Sequence, residues 1–201
     1  MPSVCIIYGF GEGPKISKKL VRELKNDSYI ITKDPAKADI LIAHSGGYLM
    51  IPKNISCQTL LLVAPANGYN GKSILWAQAK KVFVDIRYCQ QNKLLTSWLG
   101  KSLWNIAYTV SKSRNYRMIL EGKRLGKDLP NFNANKIGII LQRDDPWSWY
   151  IDRDKILNSK KYSTLVSHPG IHDEIWMHPK DYVAILQYLH ETELLVNPKQ
   201  R

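Results

Sequence analysis

Short apolar runs alternate with helical patterns along the first third of the chain and again toward its end. Residues 4–8 form a β-branched and aromatic run that stops at Gly9-Phe10-Gly11-Glu12-Gly13. Pro14 then suits the first turn of a helix, in which Ile16, Leu20, Val21 and Leu24 fall at helical spacing. Lys15, Lys18, Lys19, Arg22 and Lys25 fill the remaining positions as a basic, solvated face. Further runs at 29–32, 40–43, 59–64, 137–141 and 163–166 predict five more strands. Continuously apolar strands joined by helical crossovers indicate a parallel sheet covered on both faces. The expected fold class is therefore α/β: a three-layer sandwich with a mainly parallel sheet of about six strands and helices on both faces.

The stretch from 72 to 135 is less regular. Residues 82–86 read as a short extra strand or part of a packed loop, and Leu95, Trp98, Leu99, Leu103, Ile106 and Val110 share one face of a long helix. No repeat, low-complexity tract or linker divides the chain, so a single domain over residues 1–201 is expected, with 72–135 as a small cap or pocket-shaping segment. The last five residues read as a frayed tail.

Composition narrows the class. With 201 residues, 44% of them hydrophobic and 23% charged, the chain has the make-up of an ordinary globular protein. No apolar run reaches the roughly 18–20 residues needed to cross a bilayer, and the first apolar stretch reads as a strand rather than a signal peptide. Three cysteines without CxxC spacing, Cys5, Cys57 and Cys89, suggest free thiols and a cytoplasmic setting. The charge, 29 Lys+Arg against 17 Asp+Glu for a net +12, leaves an acidic partner such as nucleic acid open. Between 92 and 127 lie eight basic residues and one acid, Glu121. Elsewhere the basic residues are spread along the chain, which does not favour nucleic-acid binding as the primary role. Oligomeric state leaves no mark on the sequence.

The strongest local signal is Ile40-Leu41-Ile42-Ala43-His44-Ser45-Gly46-Gly47. A strand runs into a serine, two glycines follow, and a helical pattern begins. This is the spacing of a nucleophile elbow, G-x-S-x-G, with Ala43 in the first glycine position. Small residues two before and two after the serine are needed because the strained turn brings neighbouring backbone close. The Gly46 amide is then free to face an oxyanion. A serine nucleophile also needs a base and an orienting acid at the same sheet edge. Asp144 and Asp145 follow the fifth strand, before Pro146, and His168 and His172 follow the sixth.

With chain order Ser, Asp, His, the sequence resembles an α/β-hydrolase over essentially all of residues 4–189. That resemblance implies a serine hydrolase acting on a carboxylic ester or related acyl bond, with a small acyl substrate and no cofactor. The family's acid precedes a proline in a turn that maps to Gln142-Arg143-Asp144-Asp145-Pro146, which assigns the role to Asp145 over Asp144. Its histidine follows a glycine-containing loop after the last strand, which selects His172 over His168. Its second oxyanion donor lies after the first parallel strand, here Phe10 beside Gly46. Trp147, Trp149 and Trp176 flank the acid and base, and Trp147 and Trp176 are weak candidates for a substrate wall. The sequence departs from the family in Ala43 at the elbow, in Gln142 at the opening of the acid turn, and in lacking the two antiparallel strands that usually open the sheet.

Other readings fit less well. His168, His172, Asp173, Glu174 and His178 lack a metal-site spacing, since Pro169 and Gly170 interrupt any helix. Gly9-x-Gly11-x-Gly13 has the wrong spacing for a dinucleotide loop, and Pro14 removes an amide that would face phosphate. The alternative from another class is a catalytically silent hydrolase-like fold that binds an acidic partner such as nucleic acid.

Overall fold

The computed structural model describes residues 1–9, 12–66, 129–145 and 164–191, with 154, 156, 158 and 162. Its strands are β1 (Ser3–Ile7), β2 (Ile30–Thr32), β3 (Ile40–His44), β4 (Ser56–Val63), β5 (Asn133–Gln142) and β6 (Thr164–His168). They form one sheet in the order β2-β1-β3-β4-β5-β6, and every neighbouring pair is parallel. All six expected strands are present, with ends shifted by a few residues; β5 begins four residues early and so takes in the end of the 72–135 stretch. The rest of that stretch before Leu129, including the long apolar helix and the basic run, lies outside the described residues, as do Cys89, Trp147 and Trp149.

Register explains why the inner strands carry consecutive apolar residues. Cys5, Leu41, Leu60 and Ile137 stand side by side across four strands, and Ile6, Ile42, Leu61 and Gly138 form the adjacent row. Successive side chains point to opposite faces, so these rows belong to two separate buried cores. One core is covered by helices α1 (Lys18–Asn26), α2 (Glu174–Met177) and α3 (Pro179–Glu191), which pack on one another. Gly138 makes room there: a Cβ would meet Leu189 Cδ2 at 2.5 Å. The other core takes in Tyr48 and Ile156.

The first helix departs from expectation. It starts at Lys18, and Ile16 is exposed rather than on the buried face with Leu20 and Leu24. The cause is local. Pro14–Ser17 form a turn closed by Ile16 N–H donating to Gly13 O, while buried Ser17 Oγ bonds Tyr8 Oη at 2.7 Å. At its other end the helix closes with Ser28 in the left-handed region (φ 65°), Ser28 N–H on Lys25 O and Tyr29 N–H on Leu24 O.

The strand order fixes where chemistry can gather. From β1 the chain moves outward to β2, then returns to β3 on β1's other side. At such a reversal the crossovers leave toward opposite faces, opening a crevice at the carboxyl ends of the two strands. Just beyond those ends here stand Gly9 and Ser45.

Candidate active site

Ser45 follows β3 directly and has φ +54°, a left-handed conformation that a side-chain-bearing residue seldom adopts. It opens a short 3₁₀ helix, Ser45–Met50, with Gly46 and Gly47 both buried. The turn is tight enough to dictate its neighbours. A Cβ on Gly47 would lie 2.4 Å from Ile7 O, and one on Gly9 would lie 2.5 Å from Ser45 Cβ. The strand end of β1 is thus in contact with the serine, as the crevice requires.

Asp145 and Asp144 diverge although they are adjacent. Asp145 is fully buried, and its Oδ2 accepts a 2.7 Å hydrogen bond from His172 Nδ1. Asp144 is exposed, and its backbone N–H and Oδ2 join Gly170, at 3.1 and 3.4 Å. One acid therefore holds the imidazole while its neighbour staples the acid loop to the histidine loop. Gly170 permits that loop's turn, with φ +118° and no space for a Cβ against Glu174.

His172 is buried and close to the elbow: its ring centroid is 4.8 Å from that of His44, the residue preceding Ser45. His168 is instead the last residue of β6, tied to Tyr182 Oη (3.4 Å) and Asp181 (3.5 Å). Gln142, at the opening of the acid turn, is buried and donates Nε2–H to the same Tyr182 hydroxyl at 2.6 Å. Trp176 is buried against Tyr8 and His44, with its indole N–H directed to Glu12 Oε1 at 3.4 Å. Phe10 and Pro146 lie outside the described residues.

A second network sits beneath these groups. His44 is wholly buried, with Nε2 2.7 Å from His172 O and Nδ1 2.6 Å from Glu12 Oε1. The latter is a close acid–imidazole contact whose alignment falls short of a good hydrogen bond. Burial pushes the His44 pKa down, yet the Glu12 charge and contact, Asp173 and the His172 carbonyl together raise it. Glu12, His44, His172 and Asp173 bring donor atoms within 4.8 Å of one another. Glu12 already meets His44 directly and His172 Nδ1 already meets Asp145, so the cluster is built of acid–base pairs. The sequence reading assigns Glu12 no role. The available signal was a lone acid in a glycine-rich loop after the first strand, meaningful only once β1 and β3 are known to be neighbours.

The sequence matches no protein-family model and no curated protein. Solved structures do match. An α/β-hydrolase family protein from Desulfitobacterium hafniense aligns over 92% of this chain and 94% of its own, with TM-score 0.54 and 14% identity. An esterase from Pyrobaculum calidifontis aligns over 96% and 77%, with TM-score 0.57 and 13% identity. A soluble variant of the Saccharomyces cerevisiae monoglyceride lipase aligns over 94% and 85%, with TM-score 0.54 and 16% identity. This chain has the α/β-hydrolase fold. In this chain Ser45 follows β3, Asp145 follows β5 and His172 follows β6. Among the described residues, no helix is long and apolar enough to cross a membrane.

Proposed function

We propose that the protein is a serine hydrolase that cleaves a carboxylic ester or related acyl bond in a small substrate. The observation that carries this reading is the buried Asp145–His172 pair, at 2.7 Å, with the His172 ring 4.8 Å from that of His44, the residue preceding left-handed Ser45. In this mechanism Ser45 Oγ attacks the acyl carbon while His172 Nε2 takes the hydroxyl proton. The carbonyl π pair moves to oxygen, where the amides of Gly46 and Phe10 hold the oxyanion. Collapse breaks the bond to the leaving group, which takes the proton from His172 and leaves an acyl-serine. Water, deprotonated by the same imidazole, repeats the sequence and releases the acid. Asp145 fixes the Nδ1–H tautomer throughout. No cofactor enters this scheme, and the cytoplasm is the expected compartment. Trp147 and the 72–135 segment would shape the acyl pocket; Trp176 is held by Glu12 and His44.

The test is labelling with a fluorophosphonate probe and turnover of an activated short-chain ester. Wild-type protein should do both, and Ser45→Ala should abolish both without unfolding. Undiminished labelling of Ser45→Ala would place the reactive serine elsewhere. Wild-type protein that takes no label, yet retains nucleic acid in a salt-sensitive manner, would support the silent binding protein instead.

A further inference from the structure

The network under the elbow contains two titratable groups that the proposed reaction does not use. His44 has no room for solvent, and each ring nitrogen faces only an acceptor. A carbonyl oxygen cannot donate, so Nε2, at 2.7 Å from His172 O, must carry a hydrogen. Nδ1 meets Glu12 Oε1 at 2.6 Å, and the other Glu12 oxygen accepts the Gly9 N–H at 2.7 Å. Trp176 Nε1–H also points at that carboxylate. A nitrogen–oxygen approach of 2.6 Å requires a proton between the two atoms, and the Gly9 and Trp176 N–H groups directed at the carboxylate favour its lying on the imidazole, which makes His44 doubly protonated. The other titratable groups facing the ring are Asp173 and His172, both on the loop after β6.

We infer that Glu12 and a doubly protonated His44 form a buried ion pair that clamps the Gly9 loop and the His172 main chain to the elbow. The two are positioning residues for the Ser45 site. The clamp joins three segments that must keep register for acyl transfer: the loop offering an oxyanion donor, the nucleophile's own strand, and the loop carrying the base. Neither group touches substrate. Their contribution is to hold the base and the oxyanion loop in place, and a displacement of about 1 Å in such groups is enough for roughly a hundredfold loss. A buried charge pair also behaves asymmetrically: neutralising one partner strands the other.

This inference rests on the serine-hydrolase reading for its kinetic consequence, but its charge state is measurable without it. In ¹⁵N-histidine-labelled wild-type protein at pH 8, His44 should show two ring N–H signals, and Glu12→Gln should leave one. A single N–H in wild type would overturn the inference. Glu12→Gln keeps an acceptor for Gly9 and should fold; its fluorophosphonate labelling rate should fall about a hundredfold. With the activated ester the loss should appear in kcat, with KM little changed. His44→Gln, which retains a donor toward His172 O, should recover part of what His44→Ala loses. Wild-type kinetics in Glu12→Gln would overturn the positioning role. Protein without any labelling would refute the hydrolase reading, and the ring signals would still uphold or sink the clamp.

Discussion

The two edges of one sheet use the same kinds of side chain in opposite ways. At the amino edge, Asp39 Oδ2 accepts from the backbone and hydroxyl of Ser3, both at 2.8 Å, and Ser3 Oγ accepts from Asp39 N–H at 3.0 Å. Thr59 Oγ1 meets His190 Nδ1 at 3.2 Å, and Lys136 Nζ donates to Leu189 O and His190 O at 2.9 and 3.0 Å. Each of these contacts joins a strand start to its surroundings or finishes the last turn of α3. At the carboxyl edge, Asp145, His172 and His44 bond one another or loop backbone, deeply buried, beside a strained serine. Acid, histidine and hydroxyl are present at both edges. What separates them is a buried acid–histidine pair close to a buried serine in the left-handed region; at the amino edge Asp39 and His190 are only partly buried, and Ser28, also left-handed, is exposed.

The sharpest way to break this contrast is to exchange roles within the acid turn. Asp145→Asn should slow fluorophosphonate labelling of Ser45 by about 10³–10⁴-fold, because the amide no longer fixes the His172 tautomer. Asp144→Asn should stay within about threefold of wild type, since an amide oxygen still accepts the Gly170 N–H. Equal losses in the two variants would mean that the turn matters as a structure and that neither carboxylate orients the base. Lys136→Met probes the opposite edge. It leaves two carbonyls of the α3 terminus without their ammonium donor and should lower unfolding free energy by about 1–3 kcal/mol. Labelling at a temperature where the variant is folded should be unchanged. Lost reactivity with retained stability would show that the two edges are coupled through α3.

The inner strands were legible because they lie between two buried cores, so local apolarity alone reveals them; β5, with Ile137 to Leu141 buried, is an example. The candidate site was legible as a pattern, since Ser45, Asp145 and His172 each follow a recognisable strand end. What did not show was pairing across long separations. Nothing near position 12 announces that its carboxylate meets His44, because that contact depends on β1 returning beside β3. Ile16 misled for a related reason. Its spacing suits a helix, but Ser17 is drawn inward by the Tyr8 hydroxyl, and the turn this imposes delays the helix to Lys18. The surroundings of Trp176 were equally hidden: its indole N–H points to Glu12 and its ring packs on His44, across separations that the local sequence does not mark.

The smallest expected effect lies at the amino edge and carries a definite pH signature. Donation from the Ser3 backbone and hydroxyl holds the Asp39 pKa below its ordinary 3.8, against a small opposing effect of burial. A carboxylate whose folded pKa is depressed contributes stability above the unfolded value, and that contribution is lost as pH falls through the folded pKa. Asp39→Asn should therefore be less stable than wild type at pH 7, by no more than about 1 kcal/mol, because the site is partly solvated and screened. The difference should shrink as pH drops below 3.8, where wild-type Asp39 also becomes neutral. Denaturant titrations of both proteins at pH 7 and at the lowest pH where both stay folded check this directly. The labelling rate should not move at pH 7, since Asp39 touches nothing at the carboxyl edge. A variant that loses reactivity while keeping its stability would erase the distinction between the edges, because a strand-start tie would then be acting on a serine at the far end of the same strand.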